Sequence, residues 1–122
     1  IIINSSIDLA YKYQLDGVHL NSKKLHELKC FPKDLLVGVS CHSENDLMVA
    51  EEKNADFAVL GSVKETLTHP GIEPIGWAKF NKFVANSNIP IYSIGGMTNN
   101  DIPSSFDHGA IGVASQRAIW SK

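Results

Sequence analysis

The 122-residue sequence predicts an α/β fold: six parallel strand–helix units forming part of a (β/α)₈ barrel of the TIM type. Three features point there. Short β-branched runs recur, most beginning about 20 residues after the one before, with the interval that contains residues 61 to 76 about a dozen longer. They lack polar alternation, as strands covered on both faces do. The segments between them carry apolar residues at helical spacing, and strand alternating with amphipathic helix means βαβ units and a parallel sheet.

Taken in order, the predicted strands are Ile1–Ile3, Gly17–Leu20, Leu35–Val39, Phe57–Leu60, Ile89–Ile94 and Ala110–Ala114. Ile7, Ala10 and Tyr11 mark the first helix. Leu47 and Ala50 mark another, with Ser43 as N-cap and Asp46 three residues on. Trp77, Phe80, Phe83 and Val84 give the clearest apolar stripe; Ile102 with Phe106, and a short Arg117–Trp120 turn, complete the set. A flavodoxin-like sheet would have five units with helices on two faces. Six strands, several followed in the same way by glycine-bearing loops, favour the barrel, whose chemistry lies on one rim. No linker or low-complexity tract divides the chain, so residues 1–122 are expected to be one domain. Eight strands close a barrel and six do not. The chain also opens mid-strand without Met. The expectation is therefore a piece of a longer polypeptide that lacks the first two strands. A homodimer would cover the open barrel edges.

Composition narrows the function classes. The chain is 43% hydrophobic and 20% charged, with net charge −2. No Lys/Arg cluster provides a nucleic-acid footprint, and Lys23, Lys24 and Lys29 read as a solvated helix face. No apolar run approaches the roughly 20 residues of a membrane helix, and no basic-then-apolar leader is present. Cys30 and Cys41 lack metal-type spacing and read as reduced thiols, which implies a cytoplasmic protein.

The chemistry should lie in the segments that follow the strands. Ile94-Gly95-Gly96-Met97-Thr98 is the strongest of these. Two glycines let the backbone approach a ligand, and Thr98 can cap the next helix, whose N-terminus attracts anions. Gly112-Val113-Ala114 lies beside it, in the usual phosphate region of such barrels. Thr66, Thr68 and His69 sit in the one long loop, where hydroxyls could meet a phosphate as readily as form a polar lid. Ser40-Cys41-His42 does not make a hydrolase, because neighbouring residues on a strand end point in different directions. His42 alone could act as a general acid–base or simply stand at the solvent edge. His19 reads as a satisfied core histidine, and His26 and His108 as helix-face residues. Asp8, Asp16, Asp34, Asp56 and Asp107 fall in helices or at the opposite ends of the strands, leaving the rim without carboxylates and without a metal clamp.

These segments, in this order, resemble the thiamine phosphate synthase/TenI family. The matching stretches are Ile2-Ile3-Asn4, Asp16-Gly17-Val18-His19-Leu20, Gly38 to Ser43, Ala55-Asp56-Phe57 to Gly61, Thr66-x-Thr68-x-Pro70-Gly71, Glu73 to Gly76, Ile94 to Thr98 and Gly109-Ala110-x-Gly112-Val113-Ala114. In that family the synthase joins a pyrimidine pyrophosphate to a thiazole phosphate with Mg²⁺, and the TenI branch aromatises a thiazole by proton transfer. The resemblance implies that Thr66 and Thr68 contact the thiazole phosphate side. Gly95, Gly96 and the Val113–Ala114 backbone would hold phosphate, and Asn4 and Ser40 would face the pyrimidine pyrophosphate. His42 would be the acid–base of a TenI-type enzyme.

The departures are specific. Ser5 stands where the synthase has Asp, and Lys24 replaces its second metal carboxylate, so a Mg²⁺ cofactor is not expected. His69 replaces a lysine; Arg117 replaces a serine and could still bind an anion. Sequences with such losses resemble the C-terminal part of MutT-type proteins, in which a Nudix hydrolase is fused ahead of a TenI-like domain. The expected function is a phosphate-ligand binding domain, degenerate for synthase chemistry, in such a fusion. A working tautomerase or synthase, and a structural or dimerisation module, are the alternatives.

Overall fold

The computed structural model describes residues 1–67 and 70–120, apart from the side chains of Ile119 and Trp120. Strands β1 (Ile2–Asn4), β2 (Gly17–Leu20), β3 (Leu36–Cys41), β4 (Phe57–Leu60), β5 (Ile91–Ile94) and β6 (Gly112–Ala114) form one parallel sheet in chain order. Helices α1 (Ile7–Lys12), α2 (Ser22–Glu27), α3 (Glu44–Glu52), α4 (Gly76–Ala85), α5 (Ile102–Asp107) and α6 (Arg117–Trp120) alternate with the strands. The sheet curls into a half-barrel, the partial barrel that the sequence predicts.

Strand periodicity divides the side chains between two faces. Val18, Leu20, Val37, Val39, Cys41, Ala58, Leu60 and Ile91 pack with Leu25, Leu47, Ala50 and Phe80 from the helices in one buried cluster. The register pairs Ile2 with Gly17, His19 with Gly38, Ser40 with Val59, and Tyr92 with Gly112, so these residues share the opposite, concave face. Exposed Ile2, Leu36 and Ile94 lie on that face.

Local chemistry starts the helices where the strands end. Ser6, Asn21 and Ser43 accept from the first turns of α1, α2 and α3. The Ser43 cap on the Asp46 N–H, 3.1 Å, is the one that the sequence predicts. The bounds of four strands and one helix face differ from expectation; β1 runs Ile2–Asn4 and β6 only Gly112–Ala114. Strand β3 continues through Ser40 and Cys41, because both remain in register with β4. Strand β5 begins at Ile91, just after Pro90, which has no N–H for a ladder and serves only as an acceptor for Ala58. In α5 the residue facing the sheet is Ser105, fully buried, whereas Phe106 is exposed. Thr98 and the 3₁₀ turn Asn99–Asp101 set that helix's phase. The Ser105 hydroxyl meets Ser93 at 2.7 Å and donates to the Gly112 carbonyl at 3.0 Å, so this helix–sheet contact is polar.

Phe80 carries the apolar stripe of α4 into the core and is fully buried. Phe80→Ala should lower unfolding free energy by about 3–5 kcal/mol, the cost typical of a phenyl-sized cavity. Urea denaturation measures this, and a loss below about 1 kcal/mol would mean that α4 does not anchor the half-barrel.

Candidate functional site

A cleft of about 570 Å³ opens at the ends of β3 to β6, on the concave side. Its walls come from the residues that follow those strands, and two backbone seams hold them together. The Val63 N–H donates to the Ile94 carbonyl at 2.9 Å and the Lys64 N–H to the Gly95 carbonyl at 3.2 Å. On its other side the same loop accepts from the start of α4: Ile75 N–H to Ser62 O, 2.9 Å, and Gly76 N–H to Val63 O, 3.0 Å. Gly95 has φ +102°, and a Cβ there would lie 2.6 Å from the Ser62 Cα. The glycine is required by this loop-to-loop approach, before any ligand is considered. The Ser115 hydroxyl donates to the Met97 carbonyl at 2.9 Å, tying the segment after β6 to the segment after β5.

Thr98 begins the 3₁₀ turn with a capping box: its hydroxyl accepts from the turn, and its own N–H donates to Asp101 at 2.9 Å. Asp101 also pairs with Lys64. The Lys64 ammonium holds the Asp101 carboxyl below its ordinary range, helped by the Thr98 N–H and opposed by partial burial.

The cleft gathers Ser40, His42, Thr66, Gly95, Gly96, Ala114 and Arg117, seven of the residues that the sequence nominates. Asn4 is exposed at the end of β1 and is outside the cleft wall; Val113 turns its side chain toward the helix-side core. Thr68 and His69 lie outside the described residues. Glu65 lines the cleft, so the expectation of a rim free of carboxylates is corrected. Sequence reading missed it because Glu65 belongs to the long loop, where no periodicity reports direction. Ser62, Met97, Ser115 and Gln116, from the post-strand segments where chemistry is expected, line the cleft as well, though the sequence singles out none of them as a site residue.

His42 stands on the β3 side of the cleft with its ring 61% exposed. The His42 backbone N–H donates to Asp46 Oδ2 at 2.8 Å, and the ring Nδ1 lies 3.9 Å from the same oxygen. The other Asp46 oxygen meets His26 Nε2 at 2.6 Å, so His26 does more than occupy a helix face. Cys41 points into the core. Burial, with Asp46 nearby, pushes its thiol up to about 12, which keeps it protonated and unfit as a nucleophile. His19 also departs from expectation. It is half-buried on the concave face, outside the helix-side core, with Nε2 2.8 Å from Ser40 Oγ.

A family model described as thiamine monophosphate synthase matches residues 1–119. The chain belongs to that family. It is 34% identical over 116 residues to a putative thiamine-phosphate synthase 2 of Aquifex aeolicus, covering 93% of this chain and 62% of that protein. It is also 34% identical to the thiamine-phosphate synthase of Prochlorococcus marinus subsp. pastoris, covering 93% of this chain but 33% of that one. Among solved structures it is similar to a thiamine phosphate pyrophosphorylase from Pyrococcus furiosus, with TM-score 0.75 and 26% identity over 93% of this chain and 55% of that chain. FabK from Thermotoga maritima shares the fold alone, at TM-score 0.64 and 19% identity, over 92% of this chain and 39% of that one. The chain thus spans at most 62% of the length of these relatives.

Membership raises the question of Mg²⁺, which the synthase reaction uses. By the resemblance, the synthase's two metal carboxylates would fall at Ser5 and Lys24, and here the Lys24 ammonium donates to the Ser5 carbonyl. A cation already bonded to the carbonyl there does not suit a divalent ion. Among the described residues, no three His, Cys, Asp or Glu side chains gather into a metal-binding group. No helix among them is long and apolar enough to cross a membrane.

The Asp101 carboxylate should stabilise the rim in a pH-dependent way. A carboxyl with a depressed folded-state pKa contributes above its unfolded value, and that contribution is lost as pH falls through the folded value. Asp101→Asn should therefore cost about 1 kcal/mol near neutrality, as the loss of a cap does. The gap to the parent should close below about pH 4, where the parent carboxyl itself takes up a proton. Urea denaturation across this range checks both points; a gap that does not change with pH would show that the Lys64 pairing contributes nothing.

Proposed function

We propose that this chain binds a phosphorylated thiazole or thiamine precursor in the cleft and is degenerate for synthase chemistry. The observation that carries the reading is the cleft itself. In a member of this family, the backbone of Gly95 and Gly96, the Ala114 turn and the Arg117 side chain line one pocket at the strand ends. Backbone N–H groups and a guanidinium are the donors that phosphate recognition uses. In this reading no metal assists: Lys24 supplies fixed positive charge at the rim, where synthase chemistry would need carboxylates. Thr66 belongs to the same wall, with Thr68 and His69 following it in sequence.

A second reading, turnover of TenI type, draws on one observation. His42 is on the cleft wall, and its backbone is anchored by Asp46, as an acid–base residue requires. The exposed apolar residues of the concave face support a homodimer, or a longer parent chain such as a Nudix fusion, in which that face is covered.

Calorimetric titration with thiazole phosphate in the presence of EDTA tests the first reading. The parent should bind, and Arg117→Ala should weaken binding about tenfold or more, the usual cost of a charge-assisted hydrogen bond. Arg117 is a better probe than Gly95, since any side chain at Gly95 would first disturb the Ser62 backbone. Binding that requires Mg²⁺, or that ignores Arg117, would refute the proposal. For the second reading, His42→Ala should abolish tautomerisation while binding persists.

A further inference from the structure

His19 and Ser40 reach each other across the concave face from adjacent strands, with Nε2 and Oγ 2.8 Å apart. Ser40 lines the cleft and its hydroxyl meets the imidazole, so the state of that ring bears on what Ser40 can offer there. The surroundings of the pair are built. A Cβ at Gly38 would lie 2.1 Å from the Phe57 ring, so only glycine allows that ring to lie across β3. Phe57 thereby reaches His19 at a centroid distance of 6.1 Å, and Tyr92 backs it edge-on at 5.8 Å and 82°. Asn4 is alongside on β1, in register with His19. The strand neighbours are thus Asn4, Ser40, Phe57 and Tyr92; the charged group at hand is the Lys24 ammonium of α2, which donates to the carbonyl of Ser5, whose N–H donates to the His19 carbonyl at 2.7 Å.

We propose that His19 is a positioning residue that determines whether Ser40 presents a hydrogen-bond donor or an acceptor to the cleft. The proposal rests on the reading of the cleft as an anion site. A serine hydroxyl has one hydrogen and two lone pairs, and a neutral imidazole nitrogen either donates or accepts. When Nε2 carries no hydrogen, it accepts from Ser40, and only lone pairs face the ligand. When Nε2 carries a hydrogen, it donates to Ser40 Oγ, and the serine hydrogen turns to the cleft. A phosphoryl oxygen accepts only, so it requires the second arrangement. Protonated His19 enforces that arrangement and adds a positive charge. Burial holds the His19 pKa below its ordinary value, so both neutral tautomers are available near neutrality. A bound anion favours the protonated form, and by linkage anion affinity must rise as pH falls through the His19 pKa.

Sulfate is the probe, because its charge does not change between about pH 5 and 8, unlike that of a phosphate monoester, whose second pKa is near 6. The titrations use the full chain in a His42→Gln/His69→Gln background, which removes the other imidazole among the described cleft residues and the one that follows Thr66 in sequence. NMR-monitored titration should show affinity rising up to about tenfold per unit by which sulfate shifts the His19 pKa. His19→Phe and Ser40→Ala should each flatten that slope, and the double variant should bind no more weakly than the worse single variant. Gln at position 19 keeps an N–H for Ser40 but cannot titrate. His19→Gln should therefore retain the affinity seen near neutrality while losing the slope, and it serves if His19→Phe fails to fold. A slope that survives in His19→Gln, or strictly additive losses in the double variant, would overturn this role and leave the anion site standing. Absence of sulfate binding at every pH would overturn both.

Discussion

Everything at the cleft depends on the close approach of two backbones, the loop after β4 and the end of β5. Two hydrogen bonds from Val63 and Lys64 bind that loop to Ile94 and Gly95. They form only because Gly95 has no Cβ to meet the Ser62 backbone. From this seam the Lys64 ammonium reaches Asp101, Asp101 completes the Thr98 cap, and the cap sets the phase of α5. Ser62 and Val63 hold the start of α4 on the other side. The long loop is thus anchored at both ends, and its Glu65 and Thr66 line the cleft beside the anchored start.

The same seam changes what the glycine pair means. Read as sequence, Gly95-Gly96 suggests a backbone opened to a ligand. In the structure the first glycine satisfies a neighbour within the protein, and under the proposed reading anion recognition would fall to the amides and side chains turned to the cleft. Arg117, at the first turn of α6, and Ser40, from β3, then become the side chains to weigh. At the ends of β1 and β2 the Lys24 ammonium is bonded to the Ser5 carbonyl, so a positive charge is already fixed on that side of the rim.

Much of the architecture was legible in the residues. Buried β-branched runs locate all six strands, and Ser43, Phe80 and Thr98 act as their positions predict. What escaped sequence reading depended on direction in space. Phe106 has the period of a core residue but faces solvent, because the capping turn before it fixes the helix phase. His19 lies within a buried-looking strand, yet strand alternation turns it to the concave side, where its partner is 21 residues away in sequence. Glu65 has no periodic neighbours to reveal its orientation, and only the seam directs it inward. A single sequence carries element type well, but it does not carry the pairing of side chains from different units.

The central claim is that a phosphorylated ligand occupies the cleft between the segments that follow β4, β5 and β6. Amide chemical-shift mapping during titration with thiazole phosphate tests it most directly. The account predicts the largest shifts at Gly95 to Thr98 and at Ser115 to Arg117, with smaller ones at Ser40 and none on the exposed faces of α1 or α4. Shifts confined to the helix side, or absent at saturating ligand, would contradict it.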